Sequence, residues 1–158
     1  MIRHLLLPAA VLCASACAEA QEDPAAERQA VTELVQRWSD AGEAQDWDTV
    51  ADTYADVDGF VWIEQGTVRY DSHDAIVAGL NQARDMSATI RNDVSDILVT
   101  PLGPDTAAFR THYLLDVSAE GFGYTSEGML AGVAIRQEDG RWRFLQGVFS
   151  AQPAAEGP

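Results

Sequence analysis

Glu138-Asp139-Gly140-Arg141-Trp142-Arg143-Phe144-Leu145-Gln146-Gly147-Val148-Phe149-Ser150 is the stretch on which the reading of the chain turns. Asp-Gly between two strand-like runs is a tight hairpin signal, because the central positions of such a turn favour positive φ. A two-residue turn pairs Glu138 with Arg141, which sets Ile135 opposite Phe144 and Val133 opposite Gln146. Alternation then places Trp142, Phe144, Gln146 and Val148 on one face of the last strand.

Reading backwards, three more long strands precede it: about Thr89 to Thr100, Thr106 to Ser118 and Tyr124 to Gln137. Turns separate them at Pro101 to Asp105 and Ala119 to Gly123. The first half is helical. Asp23-Pro24 caps and opens a helix whose Val31, Leu34, Val35, Trp38 and Ala41 form one stripe. Asp46 caps a short second helix with Trp47, Val50 and Tyr54. Phe60 to Glu64 and Thr67 to Tyr70 flank a Gln65-Gly66 turn, and Asp71 or Ser72 caps a third helix. Helices grouped ahead of a run of antiparallel strands make an α+β domain rather than an alternating α/β one.

The pieces Trp38, Trp47-Asp48-x-x-Ala51-x-x-Tyr54-Ala55-Asp56, Gly66, Asp74-Ala75-Ile76 and Gly140-x-Trp142…Ser150 occur in an order that resembles SnoaL-like domains of the nuclear transport factor 2-like superfamily. The resemblance covers residues 27–151. It implies a cone-shaped, curved antiparallel sheet with three helices of the N-terminal half packed on its concave face. It also implies a homodimer formed through the outer face of the sheet. It does not name a reaction, because this scaffold hosts enzymes, binders and assembly modules. Ketosteroid isomerase-like members carry a general-base Asp where this chain has Trp62, and a phenol where it has Trp38. The Asp-Arg-Asp set of limonene epoxide hydrolase-like members is not evident. The His-x-His that many relatives carry on the last strand is Gln146 and Val148 here.

Ahead of the domain, residues 1–20 read as an export signal: Arg3 and His4, then an apolar run from Leu5 to Ala16 too short to span a bilayer. Two cleavage chemistries are open. Ala14-Ser15-Ala16-Cys17 resembles a lipobox, which would make Cys17 a lipidated N-terminus. Ala18-Glu19-Ala20 would instead release a soluble chain beginning at Gln21. Residues 21–26 read as a linker and residues 152–158 as a flexible tail. The location expected is the cell envelope, lipid-anchored or soluble in the periplasm. Cys13 and Cys17 are the only cysteines, so the domain carries no disulfide and no thiolate nucleophile. The net charge is −15 and every basic residue is Arg. That balance argues against nucleic acid and against anionic membranes as partners, leaving a lipid anchor as the membrane contact.

With the hairpin register above, Glu127, Met129, Ala131, Val133 and Ile135 form the more apolar face of their strand and are read as inward. Phe109, Thr111, Tyr113, Leu115 and Val117 are read as inward on the strand before. The expected pocket is then Trp38, Tyr54, Trp62, Thr111, Tyr113, Glu127 and Gln146, sparse polar groups among apolar ones. Glu127 is the candidate acid or base if it faces the cavity, and a solvated rim residue otherwise. Arg110, His112, Arg143, Leu145 and Phe149 are expected on the outer face, where a second copy would pack. His73 and His112 lack spaced carboxylate partners and make no metal motif; no cofactor fingerprint is present. The expected function is binding of a small, largely apolar molecule, or an accessory role in the envelope. The alternatives are an isomerase-, dehydratase- or cyclase-type enzyme using Glu127, and a purely structural dimerisation module.

Overall fold

The computed structural model describes residues 23–85, 89–119 and 121–151. Cys17 with the rest of the segment read as an export signal, and the segment from Gln152 to Pro158 read as a tail, lie outside the described residues. Helix α1 runs Pro24–Glu43, α2 Trp47–Asp52 and α3 His73–Asp85. The strands are β1 Val61–Glu64, β2 Thr67–Tyr70, β3 Thr89–Gly103, β4 Thr106–Ala119, β5 Phe122–Arg136 and β6 Trp142–Ala151. They form one six-stranded sheet in the order β2-β1-β6-β5-β4-β3. The fold class is the expected α+β one. The sheet is mixed rather than wholly antiparallel, because β1 runs parallel to β6.

The helix starts follow from local chemistry. Oδ1 of Asp23 accepts from the Ala25 amide at 2.9 Å, with Pro24 at the first helical position. The α1 helix therefore opens inside the 21–26 segment read as a linker. Asp46 caps α2 through the Thr49 amide and hydroxyl, at 3.1 and 2.7 Å. Ser72 accepts from the Ala75 amide at the start of α3. Gln65 and Gly66 both have positive φ, 50° and 77°, as a two-residue hairpin turn needs.

The β5–β6 hairpin departs from the sequence reading in two places. The turn is longer: the Gly140 amide donates to Gln137 O at 2.8 Å and the Gln137 amide to Arg141 O at 3.0 Å. Only Gly140 takes positive φ, so residues 138–140 form a three-residue loop. Ile135 therefore pairs with Arg143, and Ala134 with Phe144. A bulge at Leu145 then restores Val133 opposite Gln146. The second departure reverses the faces, because one extra residue flips every side chain beyond it. Trp142 and Phe144 point inward, but past the bulge Gly147 and Phe149 do, while Gln146 is exposed and Val148 is 41% exposed. On β5 the inward residues are Ser126, Leu130 and Ala134, all buried, and Glu127 is exposed on the opposite face. The β4 assignment stands: Phe109, Thr111 and Tyr113 are buried.

The bulge also marks where β6 changes neighbours. Before it, Phe144 pairs with residues 53–55 through its amide to Thr53 O (2.8 Å) and its carbonyl from the Ala55 amide (2.9 Å). After it, Val61 to Glu64 take over. Two glycines make room in this region. A Cβ on Gly132 would overlap the Gln146 carbonyl, and a Cβ on Gly147 would overlap the Trp62 ring. Gly132 and Gly147 face each other across the ladder.

The outer face of the sheet differs from the expected one accordingly. Phe149 does not lie there; its ring meets Tyr113 edge-on at 4.7 Å inside the cone. Arg143 is only 11% exposed and is held by Asp52 at 3.1 Å and Asp139 at 2.9 Å. Asp52 also binds Arg37 and Arg141, so one carboxylate ties α1, α2 and β6 together. Arg110 and His112 do lie on the outer face, beside Ala131 and Met129.

Candidate functional site

An aromatic cluster closes the narrow end of the cone. Phe144, wholly buried, touches Tyr54, Trp62 and Phe109 with ring centroids 5.0–5.9 Å apart. Trp62 lies over Gly147, which is why that position carries no side chain. Above this floor, α1, α2 and α3 and the inward face of the sheet enclose a cavity of about 240 Å³. Its walls are mostly apolar: Trp38, Trp47 and Trp62 from one side, Ile76, Leu80 and Ala83 of α3 from the other.

Four polar side chains face it: Tyr54, Glu64, Tyr70 and Asn92. The Tyr54 hydroxyl accepts a hydrogen bond from Nε1 of Trp38 at 2.8 Å. Its own proton finds no acceptor among the described residues, so it can be donated into the cavity. Burial pushes this phenol far above its ordinary value, which keeps it a neutral donor at physiological pH. Tyr70 packs against Gly79 of α3, where a Cβ would overlap its ring.

Glu64 follows Trp62 by two residues and shares its inward face. Burial pushes its carboxyl up, more than Arg69, 3.9 Å away, pulls it down. Glu64 also borders a smaller bay of about 110 Å³. There Tyr113 and Ser126 share a hydrogen bond of 3.0 Å. Leu115 and Phe149 separate the two spaces.

The seven residues expected in the pocket divide. Trp38, Tyr54 and Trp62 line the main cavity. Tyr113 lines the smaller bay. Thr111 is fully buried and gives its proton to Ser95 O at 2.7 Å, so it holds β4 to β3 instead. Glu127 and Gln146 are exposed on the outer face, for the register reason given above. The carboxylate lining the main cavity is Glu64, and the amide lining it is Asn92. Strand alternation from Trp62 was the available signal for Glu64; Asn92 had none, because the faces of β3 depend on its pairing with β4. Among the described residues, no group of three or more His, Cys, Asp or Glu is arranged to hold a metal.

Removing the Glu64 charge gives a pH signature. A carboxyl whose folded pKa is raised holds its proton after the unfolded chain has lost it. Stability therefore falls as pH rises from about 4.5, the ordinary Glu value, and levels off once the folded group has ionised. Asp139 acts in the opposite direction: its hydrogen bond from Arg143 holds it low, so its contribution is present above about 3.8 and lost on acidification. Glu64→Gln is expected to flatten the decline above pH 4.5 and leave the acid limb intact. Urea midpoints across pH 3 to 8 check this; a variant curve parallel to wild type throughout would contradict it.

The model of the SnoaL-like domain matches residues 23–146. The chain belongs to the SnoaL-like family. Solved structures repeat the cone at low identity. A candidate scytalone dehydratase from Novosphingobium aromaticivorans is 14% identical with a TM-score of 0.72, over 82% of this chain and 86% of that one. A candidate aromatic ring hydroxylase from the same organism is 21% identical with a TM-score of 0.71, over 84% and 94%. A candidate dehydratase of the NTF2-like family from Streptomyces avermitilis is 18% identical with a TM-score of 0.71, over 84% and 100%. At such identities the likeness of this SnoaL-like chain to them is one of fold. No curated protein sequence matches it.

Proposed function

We propose that this SnoaL-like protein binds a small, neutral, mainly apolar molecule in its cone. The observation that carries the reading is the 240 Å³ aromatic-walled cavity with a few polar groups facing it. An apolar cavity of about 150 Å³ takes up benzene, so this one suits a ligand of roughly ten heavy atoms. No arginine lines it and Glu64 does, which disfavours anions. The leader sequence, with Arg3, His4 and the Cys17 segment, supports an exported setting.

Calorimetric titration with naphthalene and 2-naphthol tests the reading. Saturable one-site binding is expected. Leu80→Trp, which fills the cavity from the α3 side, should weaken it by about ten-fold or more. Failure of both probes to bind wild type, or unchanged binding to Leu80→Trp, would overturn the proposal.

A second reading, an enzyme of isomerase or dehydratase type, has one observation in its favour. A half-buried carboxyl with a raised pKa and a neutral phenol face the same cavity. In that reading Glu64 replaces Glu127 as the acid or base, and Glu64→Gln removes turnover while binding survives.

A further inference from the structure

Glu64 ends β1 in register with Phe149 of β6, so the two side chains leave the sheet on the same, inward side. With Leu115 and Phe149 it borders both the main cavity and the smaller bay. Its side chain is 44% exposed, which leaves it within reach of a molecule seated in either space. Its partner among the described residues, Arg69, stands 3.9 Å away, beyond hydrogen-bonding distance, and is itself 62% exposed.

Other carboxylates of the domain are served differently. Asp46 accepts from the Thr49 amide and hydroxyl, Asp139 from Arg143, and Asp52 from Arg141 and Arg143. Those bonds hold Asp46 and Asp139 low, whereas burial pushes Glu64 up. Glu64 has given up part of its hydration with no hydrogen bond from a described residue in return. An ionised carboxylate only accepts, so what it lacks is a donor. An ammonium group would supply one, but it would have to leave water for walls that are mostly apolar. A neutral hydroxyl or N–H loses far less on entering, and its bond to a carboxylate is of the stronger, charge-assisted kind.

We propose that Glu64 is a specificity-determining residue at the junction of the two spaces, and that it selects neutral, ring-sized molecules bearing a hydroxyl or N–H. That group donates to the Glu64 carboxylate while the apolar body lies among Trp38, Trp62 and Leu80. The ligand class is a phenol, an enol or a ring with an indole-type N–H. The inference rests on the binding reading above and adds the hydrogen-bond sense of the ligand and the residue that reads it.

Four matched probes, titrated calorimetrically near neutral pH, test it: 2-naphthol, which donates; naphthalene, which does neither; 2-methoxynaphthalene, which only accepts; and the ammonium ion of 2-naphthylmethylamine. Wild type is expected to bind 2-naphthol about five-fold or more tighter than any of the others. Glu64→Leu should lose that preference and bind naphthalene at least as well as wild type does. Glu64→Ala repeats the test should leucine disturb the packing. Glu127→Leu, exposed on the opposite face of the sheet, should keep the wild-type preference. Equal affinity for the three neutral probes in wild type, or tighter binding of 2-methoxynaphthalene, would overturn the assignment while leaving the binding reading in place. Tighter binding of the ammonium ion than of 2-naphthol would show that Glu64 selects charge, and would overturn both the assignment and the preference for neutral ligands. A preference for 2-naphthol that survives in both Glu64 variants, or that Glu127→Leu removes equally, would take the acceptor role from Glu64. No binding by any probe would remove both the assignment and the reading beneath it.

Discussion

Gly147→Ala is expected to cost this domain about 3 kcal/mol or more, a large part of the total stability of an ordinary domain. Alanine in a strand is by itself favourable over glycine by roughly 0.5–1 kcal/mol, because the unfolded chain loses freedom. Here that gain is overwhelmed. The new methyl would overlap the Trp62 ring. Trp62 is 2% exposed and hemmed by Tyr54, Phe144 and Phe149, with centroids 5.1–5.8 Å away. It has no free space to retreat into except the cavity, so the change would also alter the cavity wall. Gly123→Ala is the matched control: it too lies in a strand, but nothing stands within 4 Å of its Cβ position, so a change within about 0.5 kcal/mol is expected. Urea unfolding of both variants, followed by tryptophan fluorescence, checks the pair. A Gly147→Ala loss below about 1 kcal/mol would show that the ring is not held as described.

Much of the fold was legible because its signals are short. Asp23-Pro24, Asp46 and Ser72 cap helices through atoms two or three residues away, and Gln65-Gly66 makes its turn alone. The β4 face was legible too, since regular alternation carries Phe109, Thr111 and Tyr113 inward without interruption. The β5 and β6 faces were not. Apolar content was the guide, and it failed because rings from other strands lie against Gly132 and Gly147. The inward face of β5 is therefore built of small residues on either side of Leu130, and the outer one holds Met129 and Val133.

That reversal explains the site. Glu127 and Gln146 were placed in the cone by a hairpin one residue too short and a bulge that leaves no mark in the sequence. The Leu145 bulge exists because β6 changes partner there, from residues 53–55 to β1, and a parallel pairing between residues so far apart is invisible locally. Glu64 needed only alternation from Trp62. Asn92 needed the pairing of β3 with β4 before its burial could be known.

Phe144→Ala is expected to cost about 3–5 kcal/mol, the usual range for truncating a large buried ring. Phe144 is wholly buried and meets four other aromatic side chains, including Trp38 edge-on at 6.2 Å and Phe109 at 5.0 Å. Its backbone bonds to Thr53 and Ala55 do not depend on the ring, so the strand and the α2 exit should stay in register. The loss therefore reads side-chain packing alone: the transfer of the ring's area and the hole it leaves among rings too confined to collapse. Val148→Ala, four residues along the same strand but past the bulge, removes an exposed side chain and should cost within about 0.5 kcal/mol. The contrast tests the bulge as well as the core. Unbroken alternation from Phe144 would have put Val148 inside with it, and Val148→Ala would then cost well over 1 kcal/mol. Urea denaturation with an unchanged m-value separates the two outcomes, because the slope reports whether the same surface is still exposed on unfolding.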